Sequence, residues 1–314
     1  MRLGFAVSVL GRPRLKSHDG RRWPHAPHLS VSLLYLRDIF EYLHDEDIHL
    51  YRMSPYLAPY ISHPDLPQFQ GQIDECAGEL ELLGRLAADY RIRLSFHATP
   101  YIALGAPQPA AAEKSLSDLT NWARLLDRLG AGPEGVIVLH LGGAYGDKAA
   151  SMERFVACCA ALPAEVRRRL AVENDDSTYS VADALAVAGQ ADLPVVFDYL
   201  HFLNFNPEGL ALAEALSAVW RTWPAGVRPK LHVSSPRTEL RPPARAGAPP
   251  ALSVPQWTEH ADFVNPFEFL TLARALPAGA EADIMLEAKA KDLAVLRLRA
   301  DMRRYAPELA ARLE

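Results

Sequence analysis

RLAVEN (169–174), LPVVFD (193–198) and PKLHVS (229–234) follow one another at short intervals, and their reading decides the fold. Each is a short apolar run that closes on a residue able to bind a cation or a proton: Glu173, Asp198 and His232. Runs of this kind are expected of parallel strands covered on both faces. Similar runs lie upstream at RLGFAVSV (2–9), IHLYRMS (48–54), IRLSFH (92–97) and GVIVLHL (135–141), and one lies downstream at ADIMLEA (282–288). Between them the apolar spacing turns helical, as in SLLYLRDIFEYLH (32–44), ECAGELELLGRLAADY (75–90) and residues 115–129, where Ser115 is placed as the N-cap. Asn265-Pro266-Phe267-Glu268 reads as an N-cap, a proline at the first helical position and an acid three residues after the cap.

Strands that alternate with helices make βαβ units, and eight units close a (β/α)8 TIM barrel, which typically takes about 250 residues. The expectation is one α/β domain over residues 1–314, with a long loop at about 236–264 and a C-terminal helical segment at 291–314 that Pro307 breaks. An open doubly wound sheet is the rival, but no G-x-G-x-x-G follows the first strand. Apolar residues make up 49% of the chain, and no run approaches the roughly 20 needed to span a bilayer. The N-terminus lacks the order of a signal peptide, so a cytoplasmic protein is expected. The three cysteines, Cys76, Cys158 and Cys159, lack the spacing of a disulfide framework or a zinc ribbon and are read as helix-packing residues.

Barrel active sites form at the C-terminal ends of the strands. His97, His140, Glu173, Asp198, His232 and Glu287 all fall at or near such ends. His201 lies three residues past Asp198, His63 follows the second strand, and His260 and Asp262 precede the eighth. Any one of these fits a structural role. Six histidines and three carboxylates gathered on one rim point to metal, because buried carboxylates and imidazoles are costly unless paired or ligated. Imidazole with carboxylate suits zinc, manganese or iron. Nine candidates exceed one ion's needs, so two or three ions are expected, of a kind that serves phosphodiester cleavage. Lys230 shares a face with His232 two residues on. A lysine there is neutral, paired with a carboxylate or carboxylated, with an ordinary surface residue at the strand start as the alternative.

The formal net charge of −5 does not announce a nucleic-acid binder. Local basic patches can outweigh it. GRPRLKSHDGRR (11–22) is one, and Arg237, Arg241 and Arg245 form another.

YRMSPYLAPYISHP (51–64), LSFH (94–97), LHLGGAYGDK (139–148), VENDD (172–176), VVFDYLHF (195–202), KLHVSS (230–235), HADFV (260–264) and MLEAKAKD (285–292) together resemble the UV damage endonuclease family over most of the chain. The resemblance implies a barrel nuclease that nicks duplex DNA on the 5′ side of lesions with a cluster of divalent ions. It implies ligation by His63, His97, His140, Glu173, Asp198, His201, His232, His260 and Glu287, with Lys230 carboxylated beside the ions. Glu173, Lys230 and Glu287 are assigned to catalysis. The expected ions are manganese, with zinc as the alternative, and the expected partner is damaged double-stranded DNA bound by a monomer. Phe5 stands where the family typically has tyrosine, Val9 where it has a polar residue, and Pro100 where it has a glutamine that probes the lesion; the aromatic beside it survives as Tyr101. Phe5 and Tyr101 are assigned to base stacking. Arg12, Arg14, Lys16, Arg21, Arg22 and Arg237 are assigned to phosphates. Two rivals stand beside this reading: a sugar isomerase or epimerase of the related xylose-isomerase-like barrels, and a protein that binds distorted DNA without cutting it.

Overall fold

A computed structural model describes residues 1–240 and 254–314. Eight strands form a closed, wholly parallel barrel in sequence order. They are β1 (Arg2–Ala6), β2 (Leu50–Arg52), β3 (Arg93–His97), β4 (Ile137–His140), β5 (Leu170–Glu173), β6 (Val195–Asp198), β7 (Lys230–Val233) and β8 (Asp283–Leu286). The principal helix after each strand carries the same number: α1 (Leu29–Asp45), α2 (Ala77–Asp89), α3 (Pro109–Arg128), α4 (Lys148–Ala161), α5 (Val181–Ala191), α6 (Leu212–Trp220), α7 (Pro266–Ala275) and α8 (Lys291–Tyr305). The expected barrel is therefore what the chain forms. Arg241, Arg245 and most of the Pro-rich stretch 242–255 lie outside the described residues.

Local corrections have local causes. Helix α3 begins at Pro109, with Gln108 as N-cap, rather than at Ser115. The Ser115 hydroxyl instead donates to the Ala111 carbonyl at 2.7 Å, one turn back within the helix. Asn265 does cap α7, accepting from the Phe267 amide at 2.9 Å. Glu268 does not complete the box, because its carboxylate accepts from the Ser235 hydroxyl. Helix α8 stops at Tyr305, just before Pro307, as expected. Cys76 and Cys159 are buried and Cys158 partly so, consistent with packing.

The period of two along each strand sets the barrel's lining. On β1, Gly4 and Ala6 face inward while Leu3 and Phe5 join the layer under the helices. A Cβ on Gly4 would fall 2.1 Å from the Leu50 carbonyl oxygen, so the close approach of β1 and β2 excludes any side chain. Phe5 is fully buried and meets Tyr51 edge-on, with ring centroids 5.6 Å apart. It is a core residue, which corrects its assignment to base stacking. Val9 is likewise buried.

At the N-terminal end of the barrel, Arg93 and Asp283 are both fully buried and pair at 2.7 Å. Arg2 grips the same carboxylate through two bonds of 2.6 and 2.7 Å. Arg93 also donates to the carbonyls of Glu134 and Arg228, both at 2.8 Å. This layer seals the end opposite the candidate site. Among the described residues no helix is long and apolar enough to cross a membrane.

Candidate metal centre

Strand register brings the candidate ligands together. His140 is aligned with Glu173 across β4 and β5, and Asp198 with His232 across β6 and β7. Glu287 follows β8 directly, its amide bonded to the Val233 carbonyl at 2.9 Å. The result is a layer of imidazoles and carboxylates across the C-terminal mouth.

Glu173 is its hub. Its Oε1 lies 2.7 Å from His232 Nδ1 and its Oε2 lies 2.9 Å from His97 Nε2. His140 Nε2 stands 3.7 Å from Oε2, and His201 Nδ1 stands 3.8 Å from Oε1. On one side His97, Glu173, His232 and Glu287 converge; on the other Glu173, Asp198 and His201 converge. Within each group one donor atom per residue lies within 4.8 Å of all the others. Both groups share Glu173, so this one carboxylate could contribute to either.

Three buried atoms of this layer have no hydrogen-bond partner among the described residues: His140 Nδ1, Asp198 Oδ2 and His232 Nε2. Buried polar atoms are normally satisfied. Nitrogen and carboxylate oxygen left open together fit the donor set of zinc or manganese. The charges conform to the same pattern. Burial pushes the Glu173 carboxyl up, but the His232 and His140 rings outweigh it and hold the group well below the usual carboxylate range. Burial raises Asp198. For His201 burial opposes the charge, yet Asp198 and Glu173 prevail and bring the ring up to about 9. Burial lowers His97 despite its bond to Glu173.

His260 stands at the edge of this layer, its Nδ1 bonded to the Glu287 carbonyl at 2.7 Å, and its ring lies 6.3 Å from that of His201. His63 is not brought in. It is exposed, and its Nδ1 accepts from the Asp65 amide at 3.2 Å. Lys230 is fully buried beneath the cluster and donates to Ser95 Oγ at 2.5 Å. Burial, with Arg93 and Arg52 nearby, drives its ammonium pKa well below the ordinary value.

Around the mouth, Tyr101 is 78% exposed on the loop after β3. Arg12, Arg14, Lys16 and Arg22 are exposed on the loop after β1. Arg21 is exposed but engaged, its guanidinium 2.6 Å from Asp19. The assignment of Arg237 to phosphate is corrected. Its side chain is fully buried and donates to Glu259 at 2.5 Å and to the carbonyls of Glu239 and Val254 at 2.6 and 2.9 Å. It organises its own loop.

Two residues of the site carry no ligand signal in the sequence. Asn174 donates to the Asp198 carbonyl at 3.0 Å and accepts from its amide at 2.9 Å, and its own carbonyl lies 2.9 Å from His201 Nδ1. It thereby orients two candidate ligands. Arg52 ends β2 and pairs with Glu287. The strand-end rule that marks the histidines marks Arg52 equally, but a guanidinium does not ligate metal, so the ligand pattern passes over it.

A parallel barrel whose strand ends carry a shared histidine–carboxylate cluster defines a class of candidate metalloenzymes. The family model described as UV-endonuclease UvdE matches residues 29–309, and the chain belongs to that family. A UV DNA damage endonuclease of Bacillus pumilus (strain SAFR-032) is 34% identical over 259 residues, covering 80% of this chain and 74% of that protein. The crystal structure of SacUVDE superposes with a TM-score of 0.79 at 28% identity, covering 97% of this chain and 98% of the other. D-psicose 3-epimerase from Clostridium cellulolyticum H10 has a TM-score of 0.52 at 14% identity over 91% of this chain and 84% of its own, a likeness of fold alone.

Proposed function

We propose that the chain is a divalent-metal-dependent endonuclease that nicks damaged or distorted duplex DNA on the 5′ side of the lesion. The observation that carries this reading is the double cluster around Glu173, with three buried donor atoms left open. His97, His140, Glu173, Asp198, His201, His232, His260 and Glu287 would hold two or three ions, manganese ahead of zinc. When bound, such ions activate water and neutralise charge developing on the phosphodiester.

The chain's own residues supply the rest. Glu173 fixes the His97 and His232 rings through its two oxygens. Asn174 fixes Asp198 and His201. Lys230 donates to Ser95, and burial lowers its ammonium pKa; a carbamate formed there with carbon dioxide, with loss of a proton, would supply an anion beside the candidate ligands. Arg12, Arg14, Lys16 and Arg22 draw in the DNA backbone, while Arg21 is committed to Asp19. Tyr101 stacks against a base beside the lesion.

The test is incubation of the purified protein with manganese and duplexes that carry a UV photoproduct, an abasic site or no damage, with each nick mapped. A 5′ nick that disappears in Glu173→Gln is the expected result. No cleavage of any duplex by the metallated protein, together with turnover of a keto sugar, would overturn the reading in favour of an isomerase. Binding of damaged duplex without a nick would overturn it in favour of a non-cleaving recognition protein.

A further inference from the structure

Among the described residues, Arg52 is the one guanidinium in the mouth layer built by the candidate ligands. It lies on an inward position, two residues after Leu50, which packs inside the barrel with Ala6 and Met285. Its Nη1 pairs with Glu287 Oε1, the only hydrogen bond that its side chain makes among the described residues. The side chain is 14% exposed, and none of its nitrogens is both buried and unpartnered. One edge of the fork is therefore docked on a carboxylate while the rest opens to the mouth.

That carboxylate is shared. Glu287 Oε1 also lies 3.2 Å from His232 Nδ1, and Glu287 belongs to one of the two candidate ligand groups. Were Glu287 to hold a divalent ion, Arg52 would lose the carboxylate that balances it. A guanidinium fork at a half-closed mouth then calls for an anion with at least two acceptor oxygens, which it grips in bidentate fashion.

We infer that Arg52 is the binding site for a backbone phosphate of the substrate, its guanidinium held by Glu287 in the free protein. The inference rests on the nuclease reading for the identity of the anion. In this arrangement phosphate binding and cation binding favour each other through Glu287, and Arg52 touches DNA while Glu287 does not.

The test uses the full-length protein in EDTA, so that no ion contributes, and fluorescence anisotropy of a labelled duplex with one UV photoproduct. Glu287→Gln frees the guanidinium, so this variant is expected to bind the duplex several-fold more tightly than the parent. Adding Arg52→Gln to it should erase that gain and reduce the slope of log affinity against log salt by about one. Glu287→Gln with Arg52→Lys, which keeps the charge and loses the fork, should retain part of the gain and the full salt slope. Circular dichroism and melting establish that each variant is folded, and the lysine variant keeps the test open if the glutamine variant is not. If Arg52→Gln leaves the affinity of the Glu287→Gln protein unchanged, the phosphate role is overturned and Arg52 serves only to position Glu287. Failure of the parent protein to nick any duplex with manganese overturns the nuclease reading separately, because the anisotropy measurement requires no cleavage.

Discussion

The two ends of this barrel are both lined with buried charge, and they resolve it in opposite ways. At the N-terminal end Asp283 is gripped by Arg93 and Arg2, each positive group facing the negative one at bonding distance. One nitrogen there, Arg93 Nη2, lacks a partner among the described residues. At the C-terminal end Glu173 is surrounded by four histidines, and three donor atoms are left open. A buried ion pair closes on itself; this cluster leaves donor atoms open that a cation could fill. Burial and charge alone therefore do not mark a functional layer. Unsatisfied atoms of matched chemistry do.

The sharpest way to break this contrast is at the closed end. Asp283→Ala leaves Arg93 buried without its counter-charge and should cost about 3–5 kcal/mol of stability, read from urea unfolding. The nick position of the surviving folded fraction should not change. The same carboxylate sets an acid limit. Burial raises its pKa, but Arg93 and Arg2 outweigh burial and hold it below the usual value. A folded pKa below the unfolded one means that the contribution is full above about pH 4 and is lost as the pH falls through the depressed folded value. Stability of the parent should therefore fall more steeply below about pH 4 than that of Asp283→Asn; equal slopes would count against the assignment.

At the open end Asn174→Ala should weaken metal binding by about 10- to 100-fold, since it releases Asp198 and His201 without removing either. Isothermal titration with manganese checks this, and an unchanged affinity would show that the two residues are held by other means. The smallest effect on folding is expected on the rim. Tyr101→Ala should lower affinity for damaged duplex by about 1–3 kcal/mol and leave unfolding within about 0.5 kcal/mol of the parent. A loss of stability instead would make Tyr101 a packing residue.

Much of the open end is legible in the sequence. Strand-end positions identify Glu173, Asp198, His97, His140, His232 and Glu287 because side-chain period and barrel topology together place every strand end on one rim. The closed end is not legible, because Arg93 and Asp283 stand 190 residues apart at strand starts, where charged residues ordinarily meet solvent. Phe5 is open to correction from sequence alone. Gly4 and Ala6 are the small residues that β1 turns inward, so Phe5 must face the helices. His63 and Arg237 mislead for a different reason. Each lies in a loop, and no periodicity says which way a loop residue turns or whether it will be buried.

Arg237 carries a consequence of its own. Its guanidinium ties Glu259 to the carbonyls of Glu239 and Val254, so the chain leaving and the chain returning are stapled at their base, one residue before His260. The position of His260 therefore depends on Arg237 as well as on the barrel: loss of that one guanidinium would loosen two separate stretches of chain at the rim together.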